Sequence, residues 1–320
     1  MKKTLIGLAM LFIFASSVIA ADWYVDDDSS TYPSPDFTSI QDAINAASDG
    51  DVIYVADGNY PEKLVINKEL QIHGESTDGT VIDASSFSGY GITLSSDNTV
   101  LSDFTLIGPA TEAPTSYGIK VSGVENIGIY RVKILNSGRT GLDLHGVSDV
   151  EVGDAESSFN KGAGISVTDS ESVVINNAVT TGNSWGGIAL FTSGAYYPPG
   201  GSDDITITGH DSNLELIGMY KEETPGLEVT NLYAPQYVCS VRVIDPLPPN
   251  FNYFTWYFES EADADDWVVF LTENGIDRES IVEECNQQSE IPEFTGIGVA
   301  ATLLGSLAIG LGKRIKKKRA

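Results

Sequence analysis

The chain is poor in basic residues, cysteine, histidine and methionine. Its 320 residues include 18 lysines and arginines against 45 aspartates and glutamates, a formal net charge of −27 at pH 7. So acidic a chain is repelled by phosphates, which excludes nucleic acid from the expected partners. Two cysteines, three histidines and three methionines are too few for a Cys/His zinc site, a disulfide-framed mini-domain or a methionine-rich copper site.

The first residues have the composition of an export signal. Lys2 and Lys3 precede an apolar stretch at residues 5–19, and small residues follow at Ala20 and Ala21. A basic head, a short apolar segment and a small-residue cleavage point are the parts of a secretory signal peptide, and the stretch is short for a membrane span. We therefore predict that residues 1–21 are removed on export.

The C-terminus has the composition of a membrane anchor. Residues 295–312 carry no charge, and a helix over residues 294–312 would measure about 28 Å, enough to cross a hydrocarbon core. A cluster of lysines and arginines follows at residues 313–319, and such clusters stay on the cytoplasmic side. We predict a transmembrane helix, with the rest of the chain outside the cell.

Pro292, Glu293 and Phe294 stand just before this span. The motif, the span and the basic tail, in this order, resemble the PEF-CTERM sorting signal of archaeal surface proteins. The resemblance covers only residues 291–320. It implies an archaeal source, cleavage near the motif by an archaeosortase-type enzyme and transfer to a lipid anchor; a plain transmembrane anchor is the alternative.

A repeat of 23 residues organises the middle of the chain. The pattern glycine–apolar–any–apolar recurs, with spacings of 27, 23, 23 and 23 residues, at Gly91, Gly118, Gly141, Gly164 and Gly187. Alternating apolar residues indicate strands, and no segment here has the 3.6-residue period of a helix. Several short strands per turn are typical of a solenoid, so we predict an all-β fold, a right-handed parallel β-helix over residues 22–235.

The N-terminal stretch agrees with this prediction. Residues 23–60, with an amphipathic segment at 39–47, resemble the opening of pectin-lyase-like β-helix proteins, in which a short helix closes the end of the core. The resemblance implies the same N-terminal capping helix here. It does not specify chemistry, because this fold carries lyases, hydrolases, esterases, copper-processing proteins and surface proteins without catalysis.

The repeat also predicts which side chains are neighbours. Residues 23 apart should stack about 4.8 Å from each other on adjacent rungs. Four pairs follow from this offset: Lys120 with Asp143, Arg131 with Asp154, Lys133 with Glu156, and Asn160 with Asn183. An exposed ion pair contributes about 0.2–1 kcal/mol, so we expect these pairs to fix register more than to add stability.

The pattern changes after residue 235. We predict an aromatic strand at 251–258, a helix at 260–274 and a second helix from Asp277 to Cys285. A solenoid needs its last rung covered, so residues 236–290 are predicted to form an α+β cap. Export favours a disulfide between Cys239 and Cys285 within this segment, with two buried free thiols as the alternative.

Two rungs carry extra residues, at 108–117 and 193–203. Loops on both sides of one strand column would wall a groove, whose predicted floor consists of Thr93, Lys120, Asp143, His145, Ser166, Thr168 and Ala189. Aromatic side chains at Trp185, Tyr196 and Tyr197 would edge this groove and stack on the sugar faces of an extended polysaccharide. Tolerated loop insertions with surface tyrosines are the alternative.

Lys120, Asp143 and His145 are the candidates for catalysis on this column. A glycosidase needs two carboxylates about 5–9 Å apart, and a β-eliminating lyase needs a base beside calcium-binding carboxylates. The sequence contains neither arrangement in recognisable form. We expect no metal site and no cofactor, with calcium at the acidic runs 26–28 and 263–266 as the alternative.

These features predict an exported, membrane-anchored cell-surface β-helix protein with a structural, adhesive or polysaccharide-binding role in the cell envelope. Its expected partners are envelope polysaccharide or surface-layer components. The alternative is a carbohydrate-active enzyme, a polysaccharide lyase or glycoside hydrolase of the pectin-lyase-like superfamily. The sequence favours the role without catalysis.

Overall fold

The structure is a computed structural model that describes residues 20–192, 201–224, 226–244 and 253–285. Almost all of the predicted signal peptide lies outside the described residues. So do Tyr196 and Tyr197, the sorting motif Pro292–Glu293–Phe294 and the predicted span. Among the described residues, no helix is long and apolar enough to cross a membrane.

The strands of the solenoid fall into three parallel sheets. Sheet A contains β1 (Asp22–Val25), β2 (Val52–Val55), β5 (Gln71–Gly74), β8 (Val100–Ser102), β11 (Glu125–Tyr130), β14 (Ser148–Gly153), β17 (Glu171–Asn176), β20 (Asp203–Thr208) and β23 (Thr230–Tyr233). Sheet B contains β3 (Gly58–Tyr60), β6 (Thr80–Asp83), β9 (Thr105–Ile107), β12 (Lys133–Leu135), β15 (Glu156–Ser158), β18 (Val179–Thr181) and β21 (Asp211–Asn213). The solenoid part of sheet C contains β4 (Leu64–Ile66), β7 (Ile92–Leu94), β10 (Ile119–Ser122), β13 (Leu142–His145), β16 (Ile165–Thr168), β19 (Ile188–Phe191) and β22 (Met219–Glu223).

From β2 onwards the chain visits sheets A, B and C in turn, and each strand pairs in parallel with its counterpart one rung earlier. This path is that of a parallel β-helix, so the predicted solenoid is confirmed. The 23-residue register is also confirmed, since Lys120 pairs with Asp143 and Asp143 with Ser166.

The core consists of stacked apolar side chains that point inward from each sheet. In sheet A such a stack, at most 2% exposed, is formed by Ile127, Val150, Val173 and Ile205. Full burial of a side chain of this size contributes about 1.5–3 kcal/mol, and the alternation of the strands leaves every second residue outside the core. The outward positions are therefore available for contacts between rungs or with ligands.

Three of the predicted stacked pairs meet as expected. Lys120 and Asp143 form an ion pair. Lys133 Nζ lies 3.7 Å from Glu156 Oε2, although it is closer, at 2.6 Å, to Asp78 Oδ1. In a buried ladder, Asn160 Nδ2 donates to Asn183 Oδ1 at 2.9 Å and the amide of Asn183 continues to Glu215.

Arg131 stands next to Asp154 in the predicted register, since Tyr130 pairs with Gly153, but the two side chains form no ion pair within 4.0 Å. Arg131 instead donates two hydrogen bonds, of 2.6 and 2.8 Å, to the carboxylate of Asp103 on the preceding rung. Asp154 accepts a hydrogen bond from Asn177 on the following rung. A corner residue has a neighbour on either side. The 23-residue offset identifies only the one on the following rung, because Asp103 lies 28 residues before Arg131, with the inserted loop between them.

A short helix, α1 (Ile40–Ala46), closes the N-terminal end of the core at the predicted place. Ile40 and Ile44 are buried in the core. The backbone N–H groups of the first turn of α1 have no partner within the helix, and they donate instead to side-chain oxygens of Ser39 and Glu62. At the other end, Lys68 Nζ donates to three backbone carbonyls, which suits the negative end of a helix.

The C-terminal segment extends sheet C with antiparallel strands. It contains β24 (Cys239–Val243), β25 (Tyr253–Phe258), α2 (Glu261–Glu273), a 3-10 turn (Arg278–Ser280) and β26 (Ile281–Cys285), and sheet C continues in the order β22, β25, β24, β26. Tyr257 on β25 packs against the main core, while Trp267 of α2 packs against Trp256 with a ring-centroid distance of 5.4 Å. The segment thus has one side on the solenoid core and one side under α2.

The second helix predicted from Asp277 to Cys285 is wrong. The chain makes a 3-10 turn there and then enters β26, because Ile281 and Val282 are β-branched and pair with β24. Cys239 and Cys285 lie opposite each other in this pair and form a disulfide, with a Cα–Cα distance of 4.0 Å. The bond joins the first and last strands of the extension.

Candidate ligand-binding site on sheet C

One line of outward positions runs along sheet C. Backbone pairing aligns Thr93, Lys120, Asp143, Ser166, Ala189 and Tyr220. Thr93 and Lys120 are partly exposed, whereas Ser166, Ala189 and the neighbouring Thr168 are buried. Ala189 and Tyr220 belong to the hydrophobic cluster that α2 covers. The accessible part of the predicted floor is therefore its first rungs.

Asp143 is the centre of a polar cluster on these rungs. Its carboxylate pairs with Lys120 Nζ and accepts a hydrogen bond of 2.5 Å from Ser166 Oγ. The two charged side chains are only 6% and 15% exposed, so the cost of removing them from water offsets much of their attraction. Lys120 Nζ donates to Asp143, and this contact holds both side chains in place. The geometry gives Lys120 a positioning role.

His145 lies on the same face, two residues after Asp143. Burial lowers its pKa below the usual 6.5, and the Lys120 ammonium lowers it further, while Asp143 and Asp169 act in the opposite direction. The imidazole is therefore neutral at pH 7. A neutral imidazole can accept a proton, so His145 retains the chemistry of a general base.

Next to this cluster, at the start of the sheet C strands, four side chains form a stack that we call the aromatic patch: Tyr90, Tyr117, Arg139 and Trp185. The guanidinium carbon of Arg139 lies 5.3 Å from the ring centre of Tyr117 and 4.9 Å from that of Trp185. Arg139 Nε donates to Tyr117 Oη at 2.8 Å. Tyr90 continues the stack beyond Tyr117, with ring centres 5.8 Å apart.

The repeat explains how distant residues reach this patch. Arg139 and Trp185 each stand two residues before a repeat glycine, as Gly162 does on the rung between them. Gly162 has no side chain, so Arg139 can reach across it to the ring of Trp185. A Cβ atom at Gly162 would lie only 2.5 Å from the backbone nitrogen of Thr140, so the backbones pack too closely for another residue.

The first of the inserted loops packs beside the patch. Pro109 O accepts a hydrogen bond of 2.7 Å from the backbone N–H of Gly138, and Glu112 lies 3.8 Å from Lys161 Nζ. Tyr117 ends this loop and its ring is also 5.4 Å from Lys120 Nζ, so it links the aromatic patch to the Asp143 cluster.

Trp185 is 44% exposed and offers a surface to a ligand. Tyr196 and Tyr197, the other predicted rim residues, belong to the segment outside the described residues.

Sequence reasoning identified Trp185 and missed the partners that hold it. The offset of 23 connects adjacent rungs only, whereas Arg139 and Trp185 are two rungs apart. Tyr90 and Tyr117 are separated by 27 residues because the insertion falls between them. Both nevertheless stand immediately before a repeat glycine, and this shared position is the signal that could have found them.

The acidic run 26–28 after β1 was the alternative prediction for a calcium site. Its carboxylates accept hydrogen bonds from the protein backbone. The carboxylates of Asp26, Asp27 and Asp28 come within 4.8 Å of one another. Burial would raise the pKa of Asp26, but four backbone N–H donors outweigh it and lower the pKa to about 2. Asp27 accepts from the backbone N–H of Asn59. A cation here would have to compete with these bonds.

A comparison with known protein families matches the part of the chain that contains this site. A family model described as a right-handed β-helix region matches residues 37–203, slightly more than half of the chain. The chain belongs to the right-handed β-helix family. The matched region includes the aromatic patch and the Asp143 cluster.

A curated relative of this β-helix chain is distant in sequence. The chain is 29% identical over 148 residues to a cell surface glycoprotein of Methanothermus fervidus, an alignment that covers 46% of this chain and 23% of that protein. The chain thus spans about a quarter of the length of this curated relative.

Solved structures also contain similar folds. Pectin methylesterase PemA from Erwinia chrysanthemi is 16% identical, with a TM-score of 0.39 over 60% of this chain and 66% of that chain. The A-module of mannuronan C-5 epimerase AlgE4 from Azotobacter vinelandii is 16% identical, with a TM-score of 0.37 over 56% of this chain and 63% of that chain. Similarity at this level carries no information about chemistry.

Proposed function

We propose that this β-helix protein is exported, anchored in the membrane and displayed at the cell surface, where the aromatic patch binds polysaccharide of the cell envelope. The observation that carries the proposal is the stack of Trp185, Arg139 and Tyr117 beside the polar Asp143 cluster. Sugars pack their apolar faces on aromatic rings and bond their hydroxyls to neighbouring polar groups. The first rungs of sheet C offer both.

The surface location has two independent supports. The ends of the sequence have the composition of an export signal and of a membrane anchor with a PEF-type motif at Pro292, Glu293 and Phe294. The relative from Methanothermus fervidus is itself described as a cell surface glycoprotein. In this proposal surface-layer components are further partners, an archaeosortase-type enzyme processes the tail, and residues 236–290 cap the solenoid.

A binding experiment with matched aromatic variants tests the function. Isolated envelope polysaccharide is titrated into the purified wild-type protein, the Trp185→Ala variant and the Phe159→Ala variant. Phe159 is an aromatic residue outside the aromatic patch with comparable exposure, 53% against 44% for Trp185. Loss of one stacking ring should weaken binding by up to about tenfold for Trp185→Ala, because a stacking contact contributes about 0.5–1.5 kcal/mol. Equal affinities for the three proteins would contradict the proposal.

A polysaccharide lyase or glycoside hydrolase is the second candidate, and His145 is the observation that favours it. Its neutral imidazole stands beside the Asp143 cluster on the face where a glycan would bind. The test is incubation with acidic polysaccharides and detection of new unsaturated or reducing ends. Activity that disappears in His145→Gln would establish an enzyme, and unchanged polymers would leave binding as the function.

A further inference from the structure

We propose that Arg139 makes the aromatic patch selective for polysaccharides with acidic groups, carboxylates or sulfate esters, over neutral ones. The inference rests on the proposed function and adds the class of ligand. Its basis is the way in which Arg139 is held, compared with the other basic side chains of the described residues.

Most basic side chains in the described residues are neutralised by an acid. Ion pairs within 4.0 Å hold Lys120, Arg131, Lys133, Lys161, Lys221 and Arg278. Lys63, Lys68, Arg139 and Arg242 have no such pair in the part of the chain that the structure describes. The ammonium groups of Lys63 and Lys68 donate to backbone carbonyls instead. Arg139 differs from them because it is held by aromatic side chains. Its contacts are two aromatic rings and the hydroxyl of Tyr117. The charge of Arg139 is thus held in place without being neutralised.

The stack also fixes the orientation of this charge. A guanidinium carries five N–H donors in one plane and can bind both oxygens of a carboxylate or sulfate at once. The guanidinium carbon lies over the rings of both Tyr117 and Trp185, and the bond from Nε to Tyr117 Oη fixes the rotation of the group. A group already held in this way loses little conformational entropy when it binds an anion.

Tyr117 complements Arg139. Burial raises the pKa of Tyr117 above its usual value, and the Asp143 carboxylate raises it further, although Arg139 acts in the opposite direction. The residue is therefore a neutral phenol at pH 7. Since its oxygen accepts the bond from Arg139 Nε, its own proton is directed elsewhere and can be donated to an oxygen of the ligand.

The surroundings favour an anion over a cation. Lys120 and Asp143 cancel each other, and Glu112 in the adjoining loop faces Lys161. Arg139 therefore leaves a local positive charge on a protein whose net charge is −27. An acidic polymer is repelled by most of this molecule and attracted here.

The test uses one polymer backbone in three charge states: dextran, carboxymethyl dextran and dextran sulfate. The purified full-length protein in detergent is titrated with each, for wild type, Arg139→Gln, Arg139→Lys, Lys161→Gln and Trp185→Ala. Lys161→Gln removes a charge from the rung next to Arg139 and controls for general electrostatics. Arg139→Lys keeps the positive charge and removes the planar guanidinium group. Thermal melting verifies that each variant is folded.

We expect wild type to bind at least one acidic polymer about tenfold more tightly than dextran. Arg139→Gln should abolish this preference by weakening acidic binding far more than dextran binding. Arg139→Lys should retain part of the preference, and Lys161→Gln should change it less than twofold. Preference for the carboxymethyl polymer identifies carboxylates as the ligand groups, and preference for dextran sulfate identifies sulfate esters. Equal losses in Arg139→Gln and Lys161→Gln would overturn the inference.

Failure of the inference is distinguishable from failure of the proposed function. If wild type binds charged and neutral dextrans equally and Trp185→Ala weakens both, the patch binds glycans and the role of Arg139 is overturned. If Trp185→Ala changes neither these affinities nor the affinity for envelope polysaccharide, the proposed function itself falls.

Discussion

Arg131 and Arg139 both lie on the outside of the same solenoid and are held in different ways. Arg131, at a corner after sheet A, donates two hydrogen bonds to Asp103, and both side chains are exposed to water, by 53% and 25%. Arg139 lies over two aromatic rings and forms no ion pair among the described residues. The first arrangement ties neighbouring rungs together, and the second leaves a charge that we propose is used to bind a ligand. In this proposal, the neighbours of an outward position decide whether it has a structural or a recognition role.

The largest expected effect comes from the shielded ion pair beside the aromatic patch. Asp143→Ala leaves Lys120 without its partner in a poorly hydrated place and removes the acceptor of Ser166. Loss of one member of a buried pair costs about 3 kcal/mol or more, so the midpoint of urea denaturation should fall clearly. The exposed counterpart Asp103→Ala serves as the control. A similar fall in the denaturation midpoint of both variants would show that the shielded and the exposed ion pair contribute equally to stability.

A smaller effect is expected when the hydroxyl that positions Arg139 is removed. Tyr117→Phe keeps the ring and loses the bond from Arg139 Nε, which contributes about 1 kcal/mol where it is formed. Affinity for the preferred acidic dextran should fall about threefold to fivefold, while dextran binding stays constant. Tyr90→Phe, which alters a hydroxyl farther from Arg139 in the same stack, is the matched variant and should behave as wild type. Unchanged acidic binding in Tyr117→Phe would show that the rings alone position the guanidinium.

The smallest expected effect is the pH dependence of the Asp103–Arg131 pair. Burial would raise the pKa of Asp103, but hydrogen bonds from Arg131 and Ser102 outweigh it and lower the pKa below its usual value. The pair therefore stabilises the fold above the pKa of the unfolded chain, about 3.9, and this contribution is lost as the pH falls through the lowered pKa. Asp103→Asn should remove less than about 1 kcal/mol at pH 7 and a smaller amount at pH 2, measured by denaturation at both values. A larger loss at pH 2 than at pH 7 would contradict the assignment.

The repeat glycines explain why so much of the fold could be predicted. Their spacing gives the register, and the register brings Lys120 to Asp143 and Asn160 to Asn183. The C-terminal extension has no repeat, so β26 was mistaken for a helix, and its pairing with β24 could not be read from local propensity. The aromatic patch was found only in part, because the contact of Arg139 with Trp185 crosses the rung of Gly162. A contact that skips a rung requires a glycine on the rung between, and the repeat period alone does not show where such a glycine stands.

The central claim, that ligands bind at the aromatic patch and not at the Arg131 corner, is tested most directly by hydrogen–deuterium exchange with and without envelope polysaccharide. The account predicts slower exchange in peptides that contain Tyr117, Arg139 and Trp185, and no change in peptides that contain Asp103 and Arg131. The same protein with Trp185→Ala should show no protection at comparable polysaccharide concentration. Protection at the Arg131 corner with none around Arg139 and Trp185 would contradict the account.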